Sequence, residues 1–262
     1  MPTYDTVLYQ TSENVATLTL NRPERRNALN GRLMNELLDA LQTAAADEQV
    51  RAVLLAGAGQ GFCAGADLTA FQALPTSEEI YDSIVKELAP LTEAIVDLPK
   101  PVIAAVNGVA AGAGASLALA CDLRVMAHDA SLLMAFSNIG LVPDAGATWL
   151  LVRQVGYSRA FEITAEGDRL SAERCLVLGL ANKVVPAANL DDVTLAWALR
   201  LAQRPTLALA LTKQGLHDAQ SSDLKTAIET EARLQQRAYQ SADFAEGISA
   251  FLQKREPRFK GH

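Results

Sequence analysis

The sequence predicts an α/β fold with a helical C-terminal region, and three observations carry that prediction. Apolar stretches of strand length alternate with amphipathic helical stretches through the first two-thirds of the chain. Helical patterns then follow one another to the end. Two turns built from glycine and alanine each follow an apolar strand and lead towards a helix, the junction at which a layered α/β structure can present a site.

The elements follow in order. Val15-Ala-Thr-Leu-Thr-Leu20 alternates apolar and polar residues at strand period. After the turn Asn21-Arg-Pro-Glu, Asn30 caps a helix running to about Ala46, with Leu33, Leu37, Leu38 and Leu41 on one face. Ala52 to Ala56 reads as a buried strand ending in the glycine-rich turn 57–61. Residues 69–80, broken by Pro75-Thr-Ser, read as a loop, and Ser77 to Asp97 as a helix closed by Pro99-Lys-Pro101. Strand Val102 to Val106, a glycine/alanine turn and a short apolar helix to Cys121 come next, then strands Leu123 to Ala127 and Leu132 to Phe136. From Thr148 the pattern is helical, interrupted by Lys183-Val-Val185, with Ser171 as a helix start. The last helices span roughly Leu190–Ala202, Thr206–Ala219, Ser222–Gln240 and Asp243–Arg255.

Composition excludes several classes. Of 262 residues, half are hydrophobic and a fifth charged, an ordinary globular balance for one large domain or one domain with a small appendage. Acidic residues outnumber basic ones, 30 to 23, the opposite of what phosphate contacts demand of a nucleic-acid binder. Cys63, Cys121 and Cys175 are an odd number without metal-ligand spacing, so they read as reduced thiols and no metal is expected. Residues 1–10 resemble neither a secretory signal nor an Arg-rich presequence. No apolar run reaches the roughly 18 residues of a membrane span; Val102 to Ala120 comes nearest and is interrupted by Asn107, Ser116 and glycines. The expectation is a soluble, cytoplasmic protein with neither nucleic acid nor membrane as partner.

Three segments carry chemistry. The first turn is Gly61-Phe-Cys-Ala-Gly-Ala-Asp-Leu68 and the second Asn107-Gly-Val-Ala-Ala-Gly-Ala-Gly-Ala-Ser-Leu117. Small residues let a ligand approach the backbone, and unpaired N–H groups at a helix start form a positive dipole end. Side by side, two such turns aim two N–H donors at one oxygen, an oxyanion hole for charge developing on a carbonyl or thioester. Taken singly, either turn reads first as close packing of small residues at a strand–helix junction. A dinucleotide site is set aside, because Gly57-Ala-Gly-Gln-Gly-Phe62 lacks a third glycine at the right offset and opens no helix. Ser116 lacks the glycine two residues later that a hydrolase nucleophile elbow needs. In the third segment, Phe136 to Trp149, Asp144 stands behind a proline among apolar and small residues, surroundings that raise a carboxyl pKa towards that of a useful base. Its other reading is a cap for the helix near Thr148. Asp67 and Asp122 read as turn braces, His128, His217 and His262 as surface or structural groups. Phe136 and Trp149 read as core before acyl-pocket residues.

Taken together, these segments resemble the enoyl-CoA hydratase/isomerase (crotonase) superfamily, from Leu18-Thr-Leu-Asn-Arg-Pro-Glu to Ser249-Ala-Phe-Leu-Gln-Lys-Arg. The likeness lies in Ala64-Gly-Ala-Asp67, Asn107-Gly-Val-Ala-Ala-Gly112 and Leu141-Val-Pro-Asp144, in that order and spacing. Ala-Gly-Ala-Gly-Ala-Ser-Leu-Ala-Leu and Phe-Ser-Asn-Ile-Gly-Leu-Val-Pro-Asp are similar to the phenylacetate-pathway (ring-epoxyphenylacetyl-CoA) isomerases within it. The resemblance implies a spiral of repeated ββα units over residues 1–200, holding the CoA and catalytic site. It implies a helical region, 201–262, that covers CoA and builds a homotrimer or dimer of trimers.

It also implies roles. A thioester oxygen would lie between the N–H groups of Ala66 and Ala113, with Gly114 as the neighbouring candidate for the second donor. The two glutamates that activate water in hydratases correspond to Ser116 and Phe136, which favours an isomerase using Asp144 as its single base. Hydration, another reaction of the superfamily, or non-catalytic acyl-CoA binding are the other readings. Arg22, Arg25 and Arg26 would lie at the nucleotide end of CoA, beside Ala28, Ala64, Ala66, Asp67 and Leu68. Phe251 and Lys254 would reach the CoA of a neighbouring subunit. For these basic residues plain solvation is the competing reading. Coenzyme A enters as part of the substrate and no separate cofactor is implied. Residues 69–85 would shape the acyl pocket.

Overall fold

A computed structural model describes residues 2–70 and 75–262. Strand β1 (Val7–Ser12) and β2 (Val15–Leu20) form an antiparallel hairpin closed by Glu13 and Asn14, both left-handed at φ +48° and +66°. Helix α1 (Gly31–Ala46) starts where the sequence places it, with the Asn30 side chain accepting the Leu33 N–H at 2.9 Å. Leu33, Leu37 and Leu41 are fully buried, each worth about 2 kcal/mol of burial, while Leu38 is half-buried. The last turn is closed by buried Lys100, whose ammonium donates to the Ala44 and Asp47 carbonyls at 2.6 and 2.7 Å.

From there the chain repeats one unit. Strands β3 (Ala52–Gly57), β5 (Val102–Val106) and β7 (Leu123–Ala127) each lead to a three-residue strand: β4 (Gly61–Cys63), β6 (Val109–Ala111) and β8 (Ser131–Leu133). A helical segment follows each pair. After β4 come α2 (Ser77–Ser83) and α3 (Ala89–Val96), after β6 comes α4 (Ala113–Ala120), and after β8 come α5 (Ala147–Val155) and α6 (Tyr157–Glu166). The longer strands join a six-stranded sheet, β1-β2-β3-β5-β7-β10, completed by β10 (Lys183–Val185) and parallel from β2 onward. The short strands form a second sheet, β4-β6-β8-β9, with β9 (Arg169–Ser171) antiparallel at its edge. This is the expected spiral of ββα units.

Ser171 caps α7 (Ala172–Val177) as read from sequence. Helix α8 (Leu190–Ala202) lies on β2, β3, β5 and β7. The helical end comprises α9 (Thr206–Ala219), α10 (Leu224–Tyr239) and α11 (Ala242–Gln253). Asp122 accepts the Val102 N–H at 2.8 Å and the Lys213 ammonium at 3.0 Å, tying α9 to the sheet.

Several sequence readings need correction. The helix read as Ser77 to Asp97 is interrupted by a π-helical turn at Ile84–Leu88. The strand read as Leu132 to Phe136 covers Ser131–Leu133, and Phe136 precedes a 3-10 turn, Ser137–Ile139. Of the loop read at 69–80, residues 71–74 lie outside the described residues; 68–70 form a 3-10 turn. Among the described residues no helix is long and apolar enough to cross a membrane.

Candidate active site

The first turn leaves β4 and is pinned along one side to the loop before α1. Leu29 donates to the Gly65 carbonyl at 2.7 Å, Asp67 to the Leu29 carbonyl at 2.8 Å, and Ala64 to the Arg26 carbonyl at 3.0 Å. Ala66, exposed, pairs with Leu29 as an isolated bridge, and its own N–H meets no acceptor among the described residues. The loop is organised by Asn27, fully buried and left-handed at φ +56°. Its side chain accepts the Arg22 N–H at 2.9 Å and donates to the Ala58 and Gly61 carbonyls at 2.9 and 2.8 Å. The Arg22 guanidinium donates to the Ala28 carbonyl at 2.6 Å and pairs with Asp67 at 2.8 Å. Hydrogen bonds from Thr69, and then from Arg22, hold the Asp67 carboxyl below the usual carboxylate range against the cost of its burial. Asp67 is thus the brace the sequence suggested, and Arg22 braces with it.

The second turn runs from β6 through Gly112 into α4, and it touches the first. A Cβ on Gly65 would stand 2.7 Å from the Ala111 carbonyl and 3.5 Å from the Ala113 nitrogen. A Cβ on Gly114 would stand 2.3 Å from the Cys63 carbonyl oxygen and 2.7 Å from Cys63 Sγ. Only glycine at both positions lets the turns approach this closely. Among the described residues neither Ala113 nor Gly114 donates its N–H to a backbone acceptor. Gly114 is spent on packing against Cys63, whereas the Ala113 nitrogen lies beside Gly65, the residue before Ala66.

All eight residues of α4 are buried, so its termini have no water to rely on. Arg124 closes the C-terminal end. Its guanidinium donates to the carbonyls of Cys121 at 2.7 Å, Leu119 at 3.2 Å, Ala118 at 3.3 Å and Leu180 at 2.5 Å, and to the Gln154 side chain at 3.0 Å. Burial pushes its pKa down from the ordinary arginine value. A buried cation at one end of the helix leaves the positive end facing the two turns.

Asp144 enters from a third element. After the 3-10 turn, the chain passes Leu141 and Val142, 55 % and 79 % exposed, to Asp144, then to left-handed Ala145 (φ +48°) and Gly146 (φ +76°). A left-handed alanine costs about 1–2 kcal/mol. The helix-cap reading of Asp144 is excluded: Gly146 occupies the cap position of α5, and only the Asp144 carbonyl takes a helix N–H, that of Ala147. The carboxyl is half-buried, and its Oδ1 has no partner among the described residues. Burial raises its pKa to about 6. The Ser116 hydroxyl lies 3.1 Å from the Asp144 carbonyl, placing this loop one turn along α4 from Ala113. Phe136 is buried with its ring edge 3.8 Å from where a Gly112 side chain would begin.

A match to the enoyl-CoA hydratase/isomerase family extends over residues 10–262. The chain belongs to that family. It is 44% identical over 257 residues to the 1,2-epoxyphenylacetyl-CoA isomerase of Escherichia coli (strain K12), covering 97% of this chain and 98% of that one. It is also 44% identical over 258 residues to a Rhodobacter capsulatus protein named "Probable enoyl-CoA hydratase", covering 98% and 99%. Among solved structures, that of an enoyl-CoA hydratase from Bacillus anthracis superposes with a TM-score of 0.94 at 33% identity, over 98% of this chain and 100% of that one.

The structure sets the turn holding Ala64, Ala66 and Asp67 against the turn holding Ala113 and Gly114, bonds the Asp144 loop to Ser116 of the same helix, and ties Arg22 to Ala28 and Asp67 beside the first turn. Arg25 and Arg26 are exposed, Arg25 lying 3.3 Å from Thr69 Oγ1, and Leu68 is 57 % exposed. Phe251 and Lys254 stand at the end of α11, which packs on α10; Phe251 is 80 % exposed and Lys254 ends the helix at φ +53°. Trp149 is not a core residue. It is 39 % exposed, stacked under the Arg153 guanidinium at 4.1 Å and edge-on to His217, and it lines an apolar cavity of about 430 Å³ that also holds the Asp122–Lys213 pair. The sequence reading missed Asn27 and Arg124. An asparagine in a turn and an arginine four residues beyond a helix end are the available signals.

Proposed function

We propose that this chain is an enoyl-CoA isomerase that shifts a carbon–carbon double bond by a 1,3-proton transfer. The observation that supports this most is Asp144: a half-buried carboxyl with a pKa raised to about 6 and an oxygen without a partner among the described residues, on a turn bonded to the helix whose Ala113 and Gly114 N–H groups meet no backbone acceptor among them. Such a group is a base at neutral pH and becomes a competent acid once protonated. In the positions that resemble the water-activating pair of hydratases, Ser116 and Phe136 offer no carboxylate.

In this mechanism Asp144 removes a proton from C2 of a 3-enoyl thioester. The C–H electron pair forms the C1–C2 double bond of a dienolate as the carbonyl π pair moves to oxygen. The N–H groups of Ala66 and Ala113 receive that oxyanion, aided by the α4 dipole. Reversal of electron flow draws the proton from Asp144 to C4, leaving the double bond between C2 and C3 in conjugation with the thioester. No atom is gained or lost. Arg25 faces solvent and serves the CoA phosphates, with Ala28, Ala64, Asp67 and Leu68 lining the pantetheine path. Arg22, tied to Ala28 and Asp67, shapes that path through the loop it braces. Phe251 and Lys254 serve the CoA of a neighbouring copy in a homotrimer or dimer of trimers built through residues 201–262. The proposed setting is the cytoplasm, and CoA arrives with the substrate.

The test offers the purified protein a 3-enoyl-CoA and a 2-enoyl-CoA separately, with products identified by mass and NMR. Double-bond migration without gain of water, lost in Asp144→Asn, is the expected result. Addition of water to the 2-enoyl-CoA would replace the isomerase reading with a hydratase one.

A further inference from the structure

The turn that carries Asp144 needs outside support. Ala145 and Gly146 are left-handed in succession, and the first has a side chain. Among the described residues, two hydroxyls from other elements reach this turn. Ser116, fully buried in α4, has Oγ 3.1 Å from the Asp144 carbonyl. Thr92, buried in α3, has Oγ1 3.4 Å from the Ala145 carbonyl and 3.1 Å from the Leu88 carbonyl of its own helical segment.

A serine hydroxyl has one proton to give. The other acceptor within reach of Ser116 is the Gly112 carbonyl at 3.3 Å, which already receives the N–H groups of Ala115 and Ser116. Among the described residues the Asp144 carbonyl receives only the Ala147 N–H from the backbone, leaving a second lone pair for the hydroxyl. Distance and acceptor capacity both direct the Ser116 proton to Asp144.

We propose that Ser116 is a positioning residue, whose hydrogen bond to the Asp144 carbonyl fixes the base-bearing turn to the helix that presents the Ala113 N–H. This rests on the reading of Asp144 as the base. Ser116 follows Ala113 by three residues, about 4.5 Å along the helix axis, so one rigid helical turn sets the spacing between base and oxyanion donor. Geometry of this kind is sensitive, a displacement of about 1 Å costing on the order of a hundredfold in rate. The same bond holds the turn against α4 and keeps the carboxyl half out of water.

The experiment compares Ser116→Ala and Ser116→Cys, each alone and combined with Asp144→Asn. Ser116→Ala is expected to lower kcat on a 3-enoyl-CoA by ten- to a hundredfold with KM within twofold (about) of the parent, and Ser116→Cys, a weaker donor, to fall between. Added to Asp144→Asn, Ser116→Ala should have no further effect. The Asp144 titration is followed by carboxyl ¹³C NMR and assigned by its absence in Asp144→Asn. In Ser116→Ala its midpoint should move down from about 6 as water reaches the group. An unchanged kcat and midpoint in Ser116→Ala, or a loss that multiplies on the Asp144→Asn background, overturns the proposal. The titration needs no turnover, so a protein inactive on enoyl-CoA sinks the isomerase reading and still decides whether Ser116 positions Asp144. If circular dichroism shows Ser116→Ala unfolded, Ser116→Cys and Thr92→Val are read by the same two measurements.

Discussion

Replacing Asp144 by asparagine is predicted to lower turnover by orders of magnitude and to stabilise the fold, and the second effect carries its own pH signature. Burial raises this carboxyl from 3.8 to about 6, so the folded chain holds a proton that the unfolded chain has released. Below the unfolded value both states are protonated and the group contributes nothing. Between the two values the unfolded state binds fewer protons, so the wild type loses stability as pH rises, and above about 6 the loss is complete. At about 1.4 kcal/mol per unit the full cost is about 3 kcal/mol. Asp144 is only half-buried, and solvent screening reduces this to about 1.5 kcal/mol. Asparagine keeps the shape and carries no charge. At about 2–4 °C per kcal/mol for a chain of this size, thermal unfolding of Asp144→Asn should lie about 3–6 °C above wild type at pH 7.5. The gap should close as pH falls to 4. The assay is a pair of calorimetric scans at each pH. A gap that is negative, or the same at pH 4 and pH 7.5, would refute the reasoning that burial is what tunes this group.

Three further outcomes follow from the same geometry. The kcat of the wild type on a 3-enoyl-CoA should fall tenfold per unit below a midpoint near the raised Asp144 value of about 6, read from a pH–rate profile. Gly114→Ala forces a methyl to within 2.3 Å of the Cys63 carbonyl, so the two turns must part; a kcat loss of about a hundredfold with a lowered Tm is expected, and an unchanged kcat would contradict it. Arg124→Leu strands several buried carbonyls at the end of α4, and urea unfolding should show a loss of about 3 kcal/mol or more.

What could be read from sequence was local. Asn30 and Ser171 cap the helices they were read to cap, because a cap and its N–H partner lie three residues apart. The strand β1 escaped notice. Only one of its faces is buried, and its turn uses Glu13 and Asn14 without the glycine that usually marks such a hairpin. In the second sheet β8 is legible, with its bounds shifted, while β4, β6 and β9 are hidden, since each exists only through pairing with a segment far along the chain, as Val109 does with Ser131. The site divides the same way. Glycine and alanine exposed the two turns, and small neighbours exposed Asp144. Nothing nearby announced that Ser116 would meet a carbonyl 28 residues on, or Thr92 one 53 residues on.

The short helix α4 has a consequence for how this scaffold acquires new reactions. On the assignment above, its oxyanion donor at Ala113 and the second donor at Ala66 in the first turn are peptide N–H groups, which among coded substitutions only proline removes. Random substitution therefore searches mainly among bases and pocket walls while the capacity to stabilise an enolate is inherited intact. A library that varies Ser116, Phe136 and the 139–146 loop, leaving Gly65, Gly114 and Arg124 alone, should return variants that differ in where they place a proton or a water, and rarely in whether they can hold the anion.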